Sequence, residues 1–183
     1  TMATAWRPPR FLWSDFEPLV PGVRHVEYPI CRSCPFELTY PGCSLQCAKA
    51  VERMIEFERP ETVAAVLMEP WSWTSWLSIP PPEYWPLVRS ICDKYGVILI
   101  VDEVLSGFGR TGKWWAIDHF NIVPDILVMA KALTSGYVPM SATIVSKEVA
   151  SKFEAGIDEL LCHSYTFEGH TVACAAALAN IEI

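Results

Sequence analysis

Val97 to Val101 is a run of five apolar residues, four of them β-branched, bounded by Gly96 in front and Asp102 behind. It has neither the polar alternation of a half-exposed strand nor the spacing of an amphipathic helix. It therefore predicts a strand buried on both faces, as in a parallel sheet. Ile126 to Met129 repeats the pattern between Pro124-Asp125 and Ala130-Lys131. Ala142 to Val145 reads as a third strand of this kind, and Thr62 to Met68 as a further short buried strand. Helical spacing fills the intervals. Leu45, Ala48, Val51, Met54 and Ile55 recur at that spacing within Cys43 to Phe57, and a second helix covers Glu83 to Tyr95 until Gly96 ends it. A short helix is expected over Val149 to Phe153 and an Ala-rich one from His170 onward. Strands alternating with helices predict an α/β fold, a mainly parallel sheet with helices on both faces. Residues 1 to 42, rich in Pro and Gly, read as extended or looped chain.

With 183 residues the chain is long enough for one domain with a sizeable core. Its 51% hydrophobic and 19% charged residues give more apolar surface than such a domain hides alone, so a covering partner is expected. No apolar run approaches the roughly 18 residues of a membrane-spanning helix. Fourteen basic against twenty-one acidic residues give a net charge of -7, and no Lys/Arg cluster interleaves with aromatics. Nucleic acid is therefore not an expected partner. Seven cysteines at irregular spacing argue against a secreted disulfide framework and for reduced thiols. The stretch from Thr1-Met2-Ala3 lacks the blocks of a signal peptide, so a cytoplasmic location is expected. The helical pattern from His170 reaches Ile183 without a stop signal, which reads as a segment of a longer chain.

In open parallel sheets ligands bind beyond the carboxyl ends of the strands. Asp102 ends the first apolar run, and Lys131 follows the second after one Ala. An acid and an amine are thus expected at one crevice, although most such strand-end residues are merely solvated. The flanks of Lys131, Ile-Leu-Val-Met-Ala before and Ala-Leu after, suggest apolar surroundings that favour the uncharged, nucleophilic amine.

The run from Ile100-Val-Asp-Glu-Val-Leu-Ser-Gly-Phe-Gly-Arg-Thr to Gly112 resembles the signature of the class III aminotransferases, which use pyridoxal phosphate (PLP) and have the fold-type-I architecture. Asp125 to Tyr137 resembles the family's lysine segment, and His163 to His170 the segment that reaches the cofactor phosphate. The likeness extends upstream through Pro18 to Gly22, Cys34-Pro-Phe36, Met68-Glu69-Pro70 and Pro80 to Tyr84. It is closest to the branch that moves amino groups from ω-amino acids or amines to pyruvate or another keto acid.

This resemblance implies a PLP-dependent large domain over residues 1–183, with an N-terminal segment and a C-terminal small domain lying outside it. It implies that Lys131 joins the cofactor as an imine and then shuttles the proton, while Asp102 keeps the pyridine nitrogen protonated. Val104 would pack on the ring face, sharing a side with Asp102 if the extended run continues. Thr166 would donate to the cofactor phosphate across a homodimer interface, and Glu69 would lie near the substrate side. Leu105 stands where many members have Gln, and Trp71, Trp73 and Trp76 stand where relatives are often Gly-rich. Those tryptophans are expected to pack rather than to narrow a pocket. The isolated segment is expected to be inactive.

Two other readings stand beside this one. Relatives of the same fold use the same lysine and aspartate for decarboxylation or amino-shift isomerisation, although Phe108 to Gly112 is more similar to the transaminases. Cys31, Cys34, Cys43 and Cys47 place four thiols within seventeen residues, a spacing that zinc sites also use, in a fragment without catalysis. Against zinc, Cys47 opens a helical pattern, and free cysteine is a common core residue.

Overall fold

The computed structural model describes residue 18 and residues 20–72, 77–154 and 156–183. Its regular elements are helix α1 (Gln46–Phe57), strand β1 (Ala65–Met68), helix α2 (Tyr84–Tyr95), strands β2 (Ile98–Asp102), β3 (Ile126–Met129) and β4 (Ala142–Val145), and helices α3 (Lys147–Ala150) and α4 (Thr171–Glu182). The sheet order is β1-β2-β3-β4. β1, β2 and β3 run parallel, and β4 is antiparallel to β3.

Each boundary has a local cause. α1 begins later than its apolar spacing suggests because Ser44 and Leu45 hold left-handed φ of 49° and 51°, outside the helical region. Residues 60–62 form a single turn rather than the start of a strand, since the Thr62 hydroxyl donates to the Arg59 carbonyl at 2.9 Å. Such local bonding by Thr competes with a ladder. α2 ends at Gly96, whose φ of 66° lets Val97 N–H reach the Cys92 carbonyl at 2.9 Å.

Ala48, Val51 and Ile55 of α1 and Trp85, Val88 and Ile91 of α2 pack with Leu99, Val101, Leu127 and Met129 into one core. A fully buried Val, Leu or Ile in such a core contributes about 1.5–3 kcal/mol. The other face of β2, Ile98 and Ile100, is half-buried, so the continuous apolar run serves a packed face and a partly open one. β4 departs from the expectation of a third buried strand. It is an antiparallel edge whose Thr143, Ile144 and Val145 are exposed. A four-residue apolar run does not encode whether a neighbour will cover it.

Asp125 fastens the start of the sheet. Its Oδ2 accepts the Leu99 N–H at 2.7 Å and Arg89 Nη1 at 2.9 Å, and its carbonyl accepts the Ser146 N–H at 2.8 Å. One residue thereby ties β2, β3, α2 and the end of β4. Among the described residues no helix is long and apolar enough to cross a membrane.

Candidate active site

Because β1, β2 and β3 are parallel, their carboxyl ends share one edge. Met68 lies beside Val101, and Asp102 beside Val128, so Glu69, Asp102 and Lys131 follow one another along that edge. Glu69 feels the charges of the other two. Burial raises the Glu69 carboxyl above its ordinary range, the Asp102 charge adds to the rise, and a Ser72 hydrogen bond and the Lys131 charge oppose it. Glu69 Oε2 is buried and has no hydrogen-bond partner among the described residues. Tyr28 holds this strand end, donating its hydroxyl to the carbonyls of Glu69 at 3.2 Å and Pro70 at 3.0 Å.

Asp102 is half-buried, and its Oδ1 accepts the Val104 N–H at 2.9 Å. That bond turns the chain. The extended run therefore stops at Asp102, and Val104 lies in a turn, not two residues further along a strand on the same side. The acceptor reach of Asp competes with the ladder. No described group hydrogen-bonds to Asp102 Oδ2.

Glu103, next in sequence, is fully buried. It receives the Ser106 hydroxyl at 2.5 Å and the Ile117 N–H at 2.8 Å, so it folds the loop from Val104 to Ala116 back against the end of β2. Burial is also what raises this carboxyl. Sequence reasoning passed over Glu103. Its signal was an acid directly after a buried strand with Ser three residues on.

Lys131 holds a left-handed φ of 46°, uncommon for a residue with a side chain. The strain costs roughly 1–2 kcal/mol and persists only where surrounding bonds impose it, a pattern that gathers at functional sites. Lys131 opens the turn Lys131–Thr134, which Ser135 closes with φ 51°. Its side chain is exposed, which differs from the apolar surroundings its flanks suggest. The apolar residues before it, Leu127 and Met129, are buried in the α1–α2 core instead.

Thr166 lies exposed in a turn, within a segment exposed from 156 to 172, and makes no side-chain hydrogen bond among the described residues. Leu105 is half-buried. Trp71 stacks on His119 with ring centroids 6.1 Å apart, in keeping with packing. Trp73 and Trp76 lie outside the described residues. Cys31, Cys34, Cys43 and Cys47 are free thiols, and no group of three His, Cys, Asp or Glu among the described residues is arranged to hold a metal.

A primary amine, a half-buried carboxylate with an uncommitted oxygen and a half-buried carboxyl with a buried, orphaned oxygen therefore meet at one sheet edge. That donor set fits a cofactor with an aldehyde carbon for the amine and a protonated ring nitrogen for a carboxylate. The family model described as Aminotransferase class-III matches residues 1–183. The chain belongs to the class-III aminotransferases.

Members of this family depend on PLP. The class-III chain is 40% identical over 175 residues to the taurine–pyruvate aminotransferase of Bilophila wadsworthia, a match covering 92% of this chain and 38% of that one. The class-III chain thus spans under two fifths of the length of that curated relative. Its fold overlays an (S)-enantioselective ω-transaminase from Thermomicrobium roseum with a TM-score of 0.88 at 37% identity, over 95% of this chain and 39% of the other. An amine transaminase from an uncultivated Pseudomonas species, solved with PLP bound, overlays with a TM-score of 0.87 at 35% identity, over 92% and 39%. The architecture is accordingly that of the PLP-dependent transaminases.

Proposed function

We propose that residues 1–183 form part of the PLP-binding large domain of an enzyme that moves an amino group from an ω-amino acid or amine to a keto acid such as pyruvate. The observation that carries this reading is the meeting of Glu69, Asp102 and a left-handed Lys131 at the carboxyl edge of β1, β2 and β3. When bound, PLP supplies the electron sink that makes the hydrogen on the amine-bearing carbon of the substrate acidic.

Lys131 Nζ would be the group that holds the cofactor through its aldehyde carbon, and its amine, when free, would be the base that takes the acidic proton and returns it elsewhere. Asp102 would hold the ring nitrogen protonated through its uncommitted oxygen, because a carboxylate beside a cation in a water-poor site keeps the charge favourable. Its Oδ1 is already fixed by Val104 N–H, which limits its rotation. Val104, in the turn just after Asp102, would pack on the cofactor ring. Thr166, exposed here, would donate its hydroxyl to the cofactor phosphate of the neighbouring subunit in a homodimer. The assembled enzyme acts in the cytoplasm, where its thiols stay reduced.

The test is covalent. Borohydride reduction of the PLP-loaded full-length protein should fix the cofactor on the peptide containing Lys131. Lys131→Ala should lose both that label and amine transfer. Label on another lysine, or parental turnover in Lys131→Ala, would end the assignment.

A further inference from the structure

The direction in which Asp102 points is set by the residue that follows it. Asp102 Oδ1 accepts the Val104 N–H at 2.9 Å, and that amide belongs to the peptide joining Glu103 to Val104. Glu103 is held on three sides. Its N–H donates to the Val128 carbonyl of β3 at 2.8 Å, and its carbonyl accepts the Gly107 N–H at 3.0 Å. Its carboxyl accepts the Ser106 hydroxyl at 2.5 Å through Oε2 and the Ile117 N–H at 2.8 Å through Oε1. Ser106 and Ile117 are themselves buried, at 3% and 1% exposure. Water therefore does not compete for these bonds.

A carboxyl in such a place is a costly way to fold a loop. Taking it out of water is unfavourable, and an apolar side chain of similar volume fills a buried site at least as well. What the carboxyl adds is direction, because hydrogen bonds to two separate segments leave its backbone a single orientation. That orientation passes to the Val104 N–H, and from there to Asp102.

We propose that Glu103 is a positioning residue: its carboxyl, anchored on Ser106 and Ile117, fixes the Val104 N–H that orients the Asp102 carboxylate toward the ring nitrogen of the cofactor. This role rests on the PLP reading above and adds to it a residue that acts only through its neighbour. Glu103 acts by geometry and not by charge. Gln in its place keeps an oxygen for the Ile117 N–H and offers its amide to the Ser106 oxygen, whose hydroxyl can turn. Ala leaves both partners bare. Ser106→Ala removes one anchor and leaves the other.

The full-length protein and its variants are loaded with PLP isotope-labelled at the ring nitrogen, and the chemical shift of that nitrogen, which reports its protonation, is read by NMR. The parent and Asp102→Asn set the two ends of the scale. Glu103→Ala should lie well toward the Asp102→Asn end, Ser106→Ala between the two, and Glu103→Gln should recover most of what Glu103→Ala loses. The order in kcat should be the same, with a fall of roughly ten- to a hundredfold in Glu103→Ala and KM little changed. In an Asp102→Asn background Glu103→Ala should lower kcat no further, while still lowering the urea midpoint. Where Glu103→Ala does not fold, Ser106→Ala carries the same comparisons. Equal shifts in parent and Asp102→Asn, an unmoved shift in Glu103→Ala and Ser106→Ala, additive losses of kcat, or a Glu103→Gln no better than Glu103→Ala would each overturn the role. Borohydride labelling of the parent separates two failures. A parent without label on Lys131 sinks the PLP reading itself, whereas a labelled parent whose variants leave the shift unmoved sinks the role of Glu103 alone.

Discussion

Asn180 on α4 donates its side-chain amide to the carbonyls of Ala132 at 2.9 Å and Leu133 at 3.2 Å, and so holds the turn that Lys131 opens. Its Oδ1 accepts the Ser135 hydroxyl at the other end of that turn. The left-handed backbone of Lys131 is thus clamped by a residue from a helix that looked, in sequence, like plain Ala-rich packing.

Asn180→Ala should remove both bonds to these carbonyls and, with them, the exposed one from Ser135. At about 0.5–1.5 kcal/mol net per bond, the loss should be about 1–2 kcal/mol, less than the full sum because water reaches the turn. Urea unfolding of parent and variant measures it. Asn180→Asp should be no milder, since a carboxylate presents oxygen to carbonyls that need a donor. An Asn180→Asp variant as stable as the parent would remove the clamp from the account.

Asp102→Asn is expected to separate folding from function. The amide oxygen can still accept the Val104 N–H, so stability should change by no more than about 0.5 kcal/mol. In the PLP-loaded full-length enzyme, kcat should fall by about a hundredfold or more, the scale seen when one charge-stabilising group is removed from a reacting centre. Part of the bound cofactor should remain. Steady-state kinetics with cofactor absorbance decides the matter, and undiminished kcat would refute the role given to Asp102.

Glu69 should leave a mark on the pH dependence of stability. Its carboxyl lies above its ordinary range in the folded chain, chiefly through burial and secondarily through Asp102. The folded state thus binds this proton more tightly than the unfolded state, whose value is about 4.3. The resulting stability is fully present below about pH 4.3 and is lost as pH rises through the folded value. Glu69→Gln, which does not titrate, should therefore gain on the parent as pH rises from about 4 to about 8. Urea midpoints across that range measure the difference. A constant offset between the two proteins would contradict the assigned cause.

Much of this arrangement is legible in the sequence because burial leaves a periodic trace. The run Ile126 to Met129 is β3 itself, and Gly96 marks the end of α2 because only a left-handed residue lets Val97 reach back to Cys92. Other features leave no such trace. The edge position of β4 depends on what lies beside it, and its four apolar residues look the same either way. The stop at Asp102 comes from a single hydrogen bond to Val104, which a strand-forming sequence does not announce. Glu103 and Asn180 also reach partners 14 and 48 residues away, pairings that spacing does not reveal, although Ser106 three residues on was a local sign for Glu103. The places of Asp102 and Lys131 were legible for the opposite reason, Asp102 directly behind one buried run and Lys131 one Ala beyond the other.

Gly107 offers the sharpest test of the loop that Glu103 organises. A Cβ there would meet Cζ3 and Cε3 of Trp115 at 2.8 and 2.9 Å and the Glu103 carbonyl at 3.0 Å. The ring has little freedom to yield, because Phe108 packs edge-on against it at 4.9 Å and Trp114 lies 6.5 Å away. Nor can the backbone retreat easily, since Gly107 N–H donates to that same Glu103 carbonyl at 3.0 Å. Gly107→Ala should therefore cost about 1–3 kcal/mol, the usual range for an inserted methyl in a packed site. Gly109 provides the contrast: nothing lies near its added Cβ, but its φ of 81° makes alanine a strained choice. The two penalties have different causes, and a second substitution tells them apart. Trp115→Leu should shrink the Gly107→Ala penalty by more than half, leaving the part due to the carbonyl, and should leave the Gly109→Ala penalty unchanged. Unfolding free energies of the single and double variants measure this coupling. A Gly107→Ala penalty that persists undiminished in the Trp115→Leu background would show that the ring is not what the methyl strikes.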